Sequence, residues 1–162
     1  RTAPISNADW FPAIAGDLAV RLSALGLKCY ARGARRSEAA RGCVGSEWLF
    51  DFCALIEDTD IEPRERFVAQ AAVVGEIEWG PDVDQDFEKL QIVDALVCFM
   101  TVQAWSEADG ATLLTRLERA AERRQKYARL RGIVEPPVFV LSAFVIPDNK
   151  FVHRIVGLPW TA

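Results

Sequence analysis

The sequence predicts an α/β fold, one domain with a mixed central sheet flanked by helices. Three observations lead there. Apolar residues recur at helical spacing in three separated stretches. Runs of strand length, alternating or wholly apolar, lie between them. Glycine, proline and Asp/Asn punctuate most of the junctions. With 162 residues, 51% of them hydrophobic, the chain is long enough to bury a single core of this kind.

The first helix is expected from about residue 8 to 25. Ser6-Asn7-Ala8-Asp9 resembles a capping sequence, and Pro12 is tolerated near a helix start. Phe11, Ile14, Leu18, Leu22 and Leu25 follow at helical spacing, and Gly26 ends the run. Leu27 to Ala31 is a short strand. Residues 32–46 carry Arg32, Arg35, Arg36 and Arg41 among Gly33, Gly42 and Gly45, which reads as an exposed basic loop. Two readings of it stand side by side, a contact for phosphate groups and a plain solvated loop.

Glu47 to Leu55 reads as a strand with Trp48, Phe50 and Phe52 on the core face. Asp51 sits on the other face among apolar neighbours. A polar loop follows at 57–65. Phe67 to Trp79 is a long extended run that ends in Glu76-Ile77-Glu78. Alternation puts Glu76 and Glu78 on one side, Ile77 and Trp79 on the other.

Gly80-Pro81 breaks this strand. Asp82 is placed to cap the next helix, with Gln85 completing a capping box, and Asp84 and Asp86 suit the positive helix start. Phe87, Leu90, Val93 and Leu96 give its buried side. Asp86 and Lys89, three apart, are surface neighbours. Val97 to Val102 is a strand. Asp109-Gly110 opens a long helix over about 111–130, with Leu113, Leu117, Ala120, Ala121 and Tyr127 as a modest apolar stripe. Arg116, Arg119, Arg123, Arg124, Lys126, Arg129 and Arg131 cover the rest, a solvated face or a backbone contact. Val138 to Ile146, apolar on both faces, is a buried strand. A turn at 147–150 joins it to a last strand, Phe151 to Val156, which carries the one histidine, His153.

Net charge is −4, but its distribution is uneven. Residues 1–46 hold seven basic and three acidic residues, and residues 111–131 hold seven and two. Residues 47–110 hold three basic and sixteen acidic ones. An acidic centre between basic arms suits a metal site that meets a phosphate backbone, and equally a solvated acidic surface. Carboxylates on an apolar strand are costly unless they bind a partner. A hard cation such as Mg²⁺ takes oxygen ligands of this kind. Such a metal activates water and offsets charge on a phosphoryl group. The competing reading is a set of ion pairs, with Glu76 or Glu78 meeting Arg64 or an arginine of 32–41, and Asp51 held by loop backbone.

On these residues the chain resembles the PD-(D/E)XK, or restriction-endonuclease-like, nuclease superfamily. The resemblance covers roughly residues 8–103. The family core runs helix, three strands, helix, strand; its motif is an Asp on the second strand, then Glu-x-Lys on the third. Asp51 matches the first acid and Glu76 the second. The chain departs from the motif at Glu78, which occupies the lysine position. In such enzymes the following helix can supply the lysine, and Lys89 is placed for that. The resemblance implies an αβββαβ core, here extended by a C-terminal helix and hairpin. It implies phosphodiester hydrolysis of nucleic acid, DNA before RNA, with Mg²⁺ or Mn²⁺ on Asp51, Glu76 and Glu78. Lys89 would act as the charge-stabilising residue and Arg32, Arg35, Arg36 and Arg41 as nucleic-acid contacts, and a homodimer is common in the family. The alternative is an inactive binding or regulatory protein on the same fold.

Other chemistries find no support. Cys29, Cys43, Cys53 and Cys98 lack close Cys-x-x-Cys spacing, and one histidine is too few for the usual zinc sites. There is no Gly-rich phosphate loop and no Gly-x-Ser-x-Gly elbow. No stretch reads as a signal peptide or a membrane span, so a cytoplasmic protein is expected. A start at Arg1 without Met suggests a trimmed fragment.

Overall fold

A computed structural model describes residues 7–32, 42–46, 49–57, 68–80, 82–133 and 135–157. The fold is α/β, with three helices and seven strands among the described residues. Strand pairing is mixed, parallel in some places and antiparallel in others. The chain divides into two compact units, Arg1–Val74 and Gly75–Ala162.

The first unit contains α1 (Asn7–Ser23), β1 (Lys28–Ala31), β2 (Cys43–Ser46), β3 (Phe52–Glu57) and the start of β4 (Val68–Glu78). Its strand order is β2-β1-β3-β4. β1 runs antiparallel to β3 and parallel to β2. The expected loop over 32–46 therefore ends in a strand. Cys43-Val44-Gly45-Ser46 is too short and too glycine-rich for periodicity to reveal it. Strand β3 begins at Phe52, later than expected, because residues 49–51 bend. Asp51 thus lies just ahead of the strand rather than on it.

Helix α1 packs on β1, β2 and β3 through a face of small residues. Ala15 and Ala19 are fully buried, while Phe11, Ile14, Leu18 and Leu22 are half-buried and Leu25 is exposed. The expected large apolar stripe is rotated away from the closest contact, because small side chains let the helix approach the sheet. The Cys29 thiol donates to the Ala19 carbonyl oxygen at 3.8 Å from β1. The helix stops as the sequence implies. Gly26 has φ +83°, its N–H donates to Ser23 O, and Leu27 N–H donates to Leu22 O. These paired bonds satisfy carbonyls that the helix end leaves open.

The second unit contains the end of β4, α2 (Val83–Ile92), β5 (Ala95–Ala104), α3 (Glu107–Leu130), β6 (Val138–Val145) and β7 (Lys150–Val156), in strand order β4-β5-β6-β7. β5 and β6 are parallel, from Val97↔Val138 to Ala104↔Val145, and α3 is the crossover that parallel strands require. β6 and β7 form the expected antiparallel hairpin, with Asn149 at φ 48° in its turn.

Alternation along β5 and β6 builds the core. Cys98, Met100 and Val102 share a face with Phe139, Leu141, Ala143 and Val145, and all are buried. Helix α3 sets Leu114, Leu117, Ala121 and Ala128 in the core. Helix α2 adds Val83, Phe87 and Leu90, with the Phe87 and Phe139 rings 5.8 Å apart. Each such Leu or Phe contributes about 1.5–3 kcal/mol by leaving water.

Helix α3 starts four residues earlier than its apolar stripe implies. Ser106 is the cap, its Oγ accepting from Asp109 N–H at 3.1 Å and donating to Asp109 Oδ2 at 2.7 Å. It ends on Gly132, φ +79°, with the same pair of bonds that closes α1. By contrast, the expected capping box on α2 does not form. Asp82 precedes the helix with φ −85° and ψ 15°, and its side chain makes no cap hydrogen bond.

Candidate active site

The C-terminal end of β4 and the middle of α2 carry the densest ionisable cluster of the second unit. Burial along β4 is continuous from Val74 to Ile77, so Glu76 is only 3% exposed. A carboxylate that deep requires a partner. Helix α2 provides it. Its buried Val83, Phe87 and Leu90 hold the helix against the core, which turns Asp86 and Lys89 toward the strand end. Lys89 Nζ lies 3.3 Å from Glu76 Oε1 and 2.5 Å from Asp86 Oδ1. The Asp86 hydrogen bond is the main reason the ammonium stays above its usual range. Burial opposes it, and Glu76 adds to it.

Glu78 completes the cluster. Its carboxylate turns back on the chain and accepts from the Gly80 N–H. Burial raises its pKa, as does a hydrogen bond with Asp86, while the Gly80 and Trp79 N–H groups lower it; the net shift is upward. Two carboxyl groups in contact favour sharing one proton over carrying two charges. The cluster thus runs Glu76, Lys89, Asp86, Glu78, with one cation among three acids.

Of the residues singled out by sequence, Glu76, Glu78 and Lys89 come together here. Asp86 joins them, paired with Lys89 as their spacing of three implies. Asp51 belongs to the first unit. It is 6% exposed and pairs with Arg32, Nη1 to Oδ1 at 3.1 Å, while Arg32 N–H donates to Asp51 O at 2.8 Å. Arg32 is thereby tied to an acid as well as exposed to solvent. Arg35, Arg36, Arg41 and Arg64 lie outside the described residues. His153, the sole histidine, is exposed on β7, with Nδ1 2.8 Å from Ser142 Oγ and its ring stacked 5.7 Å from Phe151.

Among the described residues, no three His, Cys, Asp or Glu side chains form a group that could hold a metal ion. Glu76 and Asp86 converge on the Lys89 ammonium instead. Comparison with protein-family models, with characterised proteins and with solved structures finds no match to the chain. Among the described residues, no helix is long and apolar enough to cross a membrane.

Proposed function

We propose that this protein is a divalent-metal-dependent nuclease of the restriction-endonuclease-like type, with its centre at Glu76, Glu78, Asp86 and Lys89. The observation that carries this reading is the placement of Lys89, 3.3 Å from Glu76 and supplied by the helix after the acidic strand. That helix is the one that would have to donate the lysine, because Glu78 stands at the usual strand position. The order helix, strands, helix, strand supports the same reading, with β2 as an added strand.

The donor set suits a hard cation in its chemistry. Glu76 and Glu78 would supply carboxylate oxygens to such a cation. Bound Mg²⁺ or Mn²⁺ would supply water activation and charge neutralisation. The rest of the work falls to the chain. Glu76, buried beside Lys89, fixes the position of the ammonium. The Lys89 ammonium offsets negative charge on the phosphoryl oxygens of the scissile phosphodiester as attack proceeds. The four cysteines are free thiols, which suits the reducing cytoplasm we propose as its location.

A second reading is favoured by the Arg32–Asp51 pair at 3.1 Å and by the two carboxylates that already engage Lys89. In it the acids serve ion pairs, and the fold is an inactive binding or regulatory protein. Titration calorimetry with Mn²⁺ on the wild type and Glu76→Gln separates the two. A binding isotherm lost in the variant supports the nuclease. No binding to the wild type rejects the metal site and leaves the second reading.

A further inference from the structure

We propose that the outer face of α3 is a non-catalytic contact for the phosphate backbone of nucleic acid, centred on Arg119 and Arg123. The helix has a buried side made of Leu114, Leu117, Ala121, Gln125 and Ala128. Arg119 and Arg123 each lie two residues from Ala121, about 200° around the helix, so both point away from the core. Arg116 continues the stripe by one turn. An open concavity of about 600 Å³ runs along this face, lined by Ala111, Thr112, Thr115, Arg116, Arg119 and Arg123.

The charge on this face is concentrated. Arg116 is paired with Asp84 of α2 at 3.0 Å. Arg119 and Arg123 make no ion pair with any described residue. Glu118, adjacent to Arg119 in sequence, turns toward Arg154 of β7 at 4.0 Å. Guanidinium groups engage phosphate oxygens in pairs of hydrogen bonds, and here they replace the lysines that an ordinary solvated helix would tolerate as well. From Arg116 to Arg123 the stripe extends about 10 Å along the helix axis. Each strand of a duplex presents one phosphate per about 3.4 Å of duplex axis, so about three fall within that axial length. The choice of nucleic acid among polyanions rests on the phosphodiester chemistry proposed above.

The test is fluorescence anisotropy of a labelled duplex of about 20 base pairs, with the full chain in EDTA so that no cleavage occurs. The wild type should bind with an affinity that falls steeply with salt. Arg119→Glu/Arg123→Glu should weaken binding at least 10-fold. The milder Arg119→Ala/Arg123→Ala should lower the slope of log K against log salt by about 2, one unit per lost phosphate contact. Unchanged affinity and slope in the alanine pair would overturn the proposal. So would binding to phosphatidylserine vesicles with none to duplex. A wild type that binds through these arginines yet cleaves nothing refutes the nuclease and leaves this surface intact. One that cleaves but ignores both arginines refutes this surface alone.

Discussion

The ammonium of Lys89 lies 3.3 Å from the carboxylate of Glu76, a group only 3% exposed. This pair ties helix α2 to strand β4 and sets up the charge balance of the candidate site. Removing Lys89 takes a cation from the buried Glu76, while removing Glu76 leaves Lys89 its Asp86 contact at 2.5 Å, so the two should not act independently.

A double-mutant cycle makes that quantitative. Lys89→Met and Glu76→Gln should each destabilise, and the double variant should cost less than their sum. Loss of one partner of a fully buried pair costs about 3–5 kcal/mol. Lys89 is 43% exposed, so solvent screens the pair and a coupling of about 1–2 kcal/mol is expected. Urea melts of the four proteins give the number. Strict additivity would show that the contact carries no energy.

Glu78 makes stability depend on pH in a defined direction. Burial, with Asp86 alongside, raises its pKa above the ordinary value of 4.5. The folded protein therefore holds that proton more tightly than the unfolded chain. The stabilisation is present below pH 4.5 and is lost as pH rises through the raised value. Glu78→Gln, measured by thermal melts across mildly acidic pH, should flatten this decline. A variant with the wild-type slope would remove Glu78 as its source.

The thiols should be inert in the native state. Burial pushes Cys98 and Cys53 up to about 12 and Cys43 to about 11, and it raises Cys29 as well. Thiolate, the reactive form, is scarce at neutral pH in such surroundings. Reaction with a chromogenic disulfide at pH 7.5 should be slow for the folded protein and complete, at four thiols per chain, in denaturant. Rapid native labelling would mean that these sites open far more readily than their burial implies.

Some of this was legible in the sequence and some was not. The α2–β5–α3–β6–β7 order followed from long periodic stretches and from the proline and glycine stops around them. Glu76 and Lys89 were legible because alternation and helical spacing place them reliably. Strand β2 was not, since four residues after an arginine-rich stretch carry no period. The packing face of α1 was misjudged because hydrophobic size, not closeness of fit, guided the choice of Phe11 and Leu18 over Ala15 and Ala19. The Asp86–Lys89 contact was legible from their spacing of three, whereas the hydrogen bond of Asp86 with Glu78 was not, since it joins a helix to a strand end. The contact of Asp51 with Arg32 joins residues nineteen apart in sequence, which only the β1–β3 pairing brings together.

Gln125 is the one buried amide on α3, and its Nε2 donates to Pro137 O at 3.0 Å and Val156 O at 3.1 Å. It thereby joins the helix to the start of β6 and the end of β7. Gln125→Leu leaves two carbonyls without this donor and should cost about 2–3 kcal/mol. Gly157→Ala should also destabilise. Its φ is +98°, and an added Cβ would meet Gln125 Nε2 at 2.0 Å. Chemical denaturation of both variants is the check, and wild-type stability in Gln125→Leu would show that the clamp is dispensable.

The most direct test of the central claim is cleavage of supercoiled plasmid by the wild type and Glu76→Gln, with Mg²⁺ or Mn²⁺ and with EDTA. The account predicts metal-dependent nicking by the wild type, abolished by EDTA and reduced about 100-fold or more in the variant. Absence of metal-dependent cleavage by a folded wild type, or equal cleavage by both proteins, would contradict it.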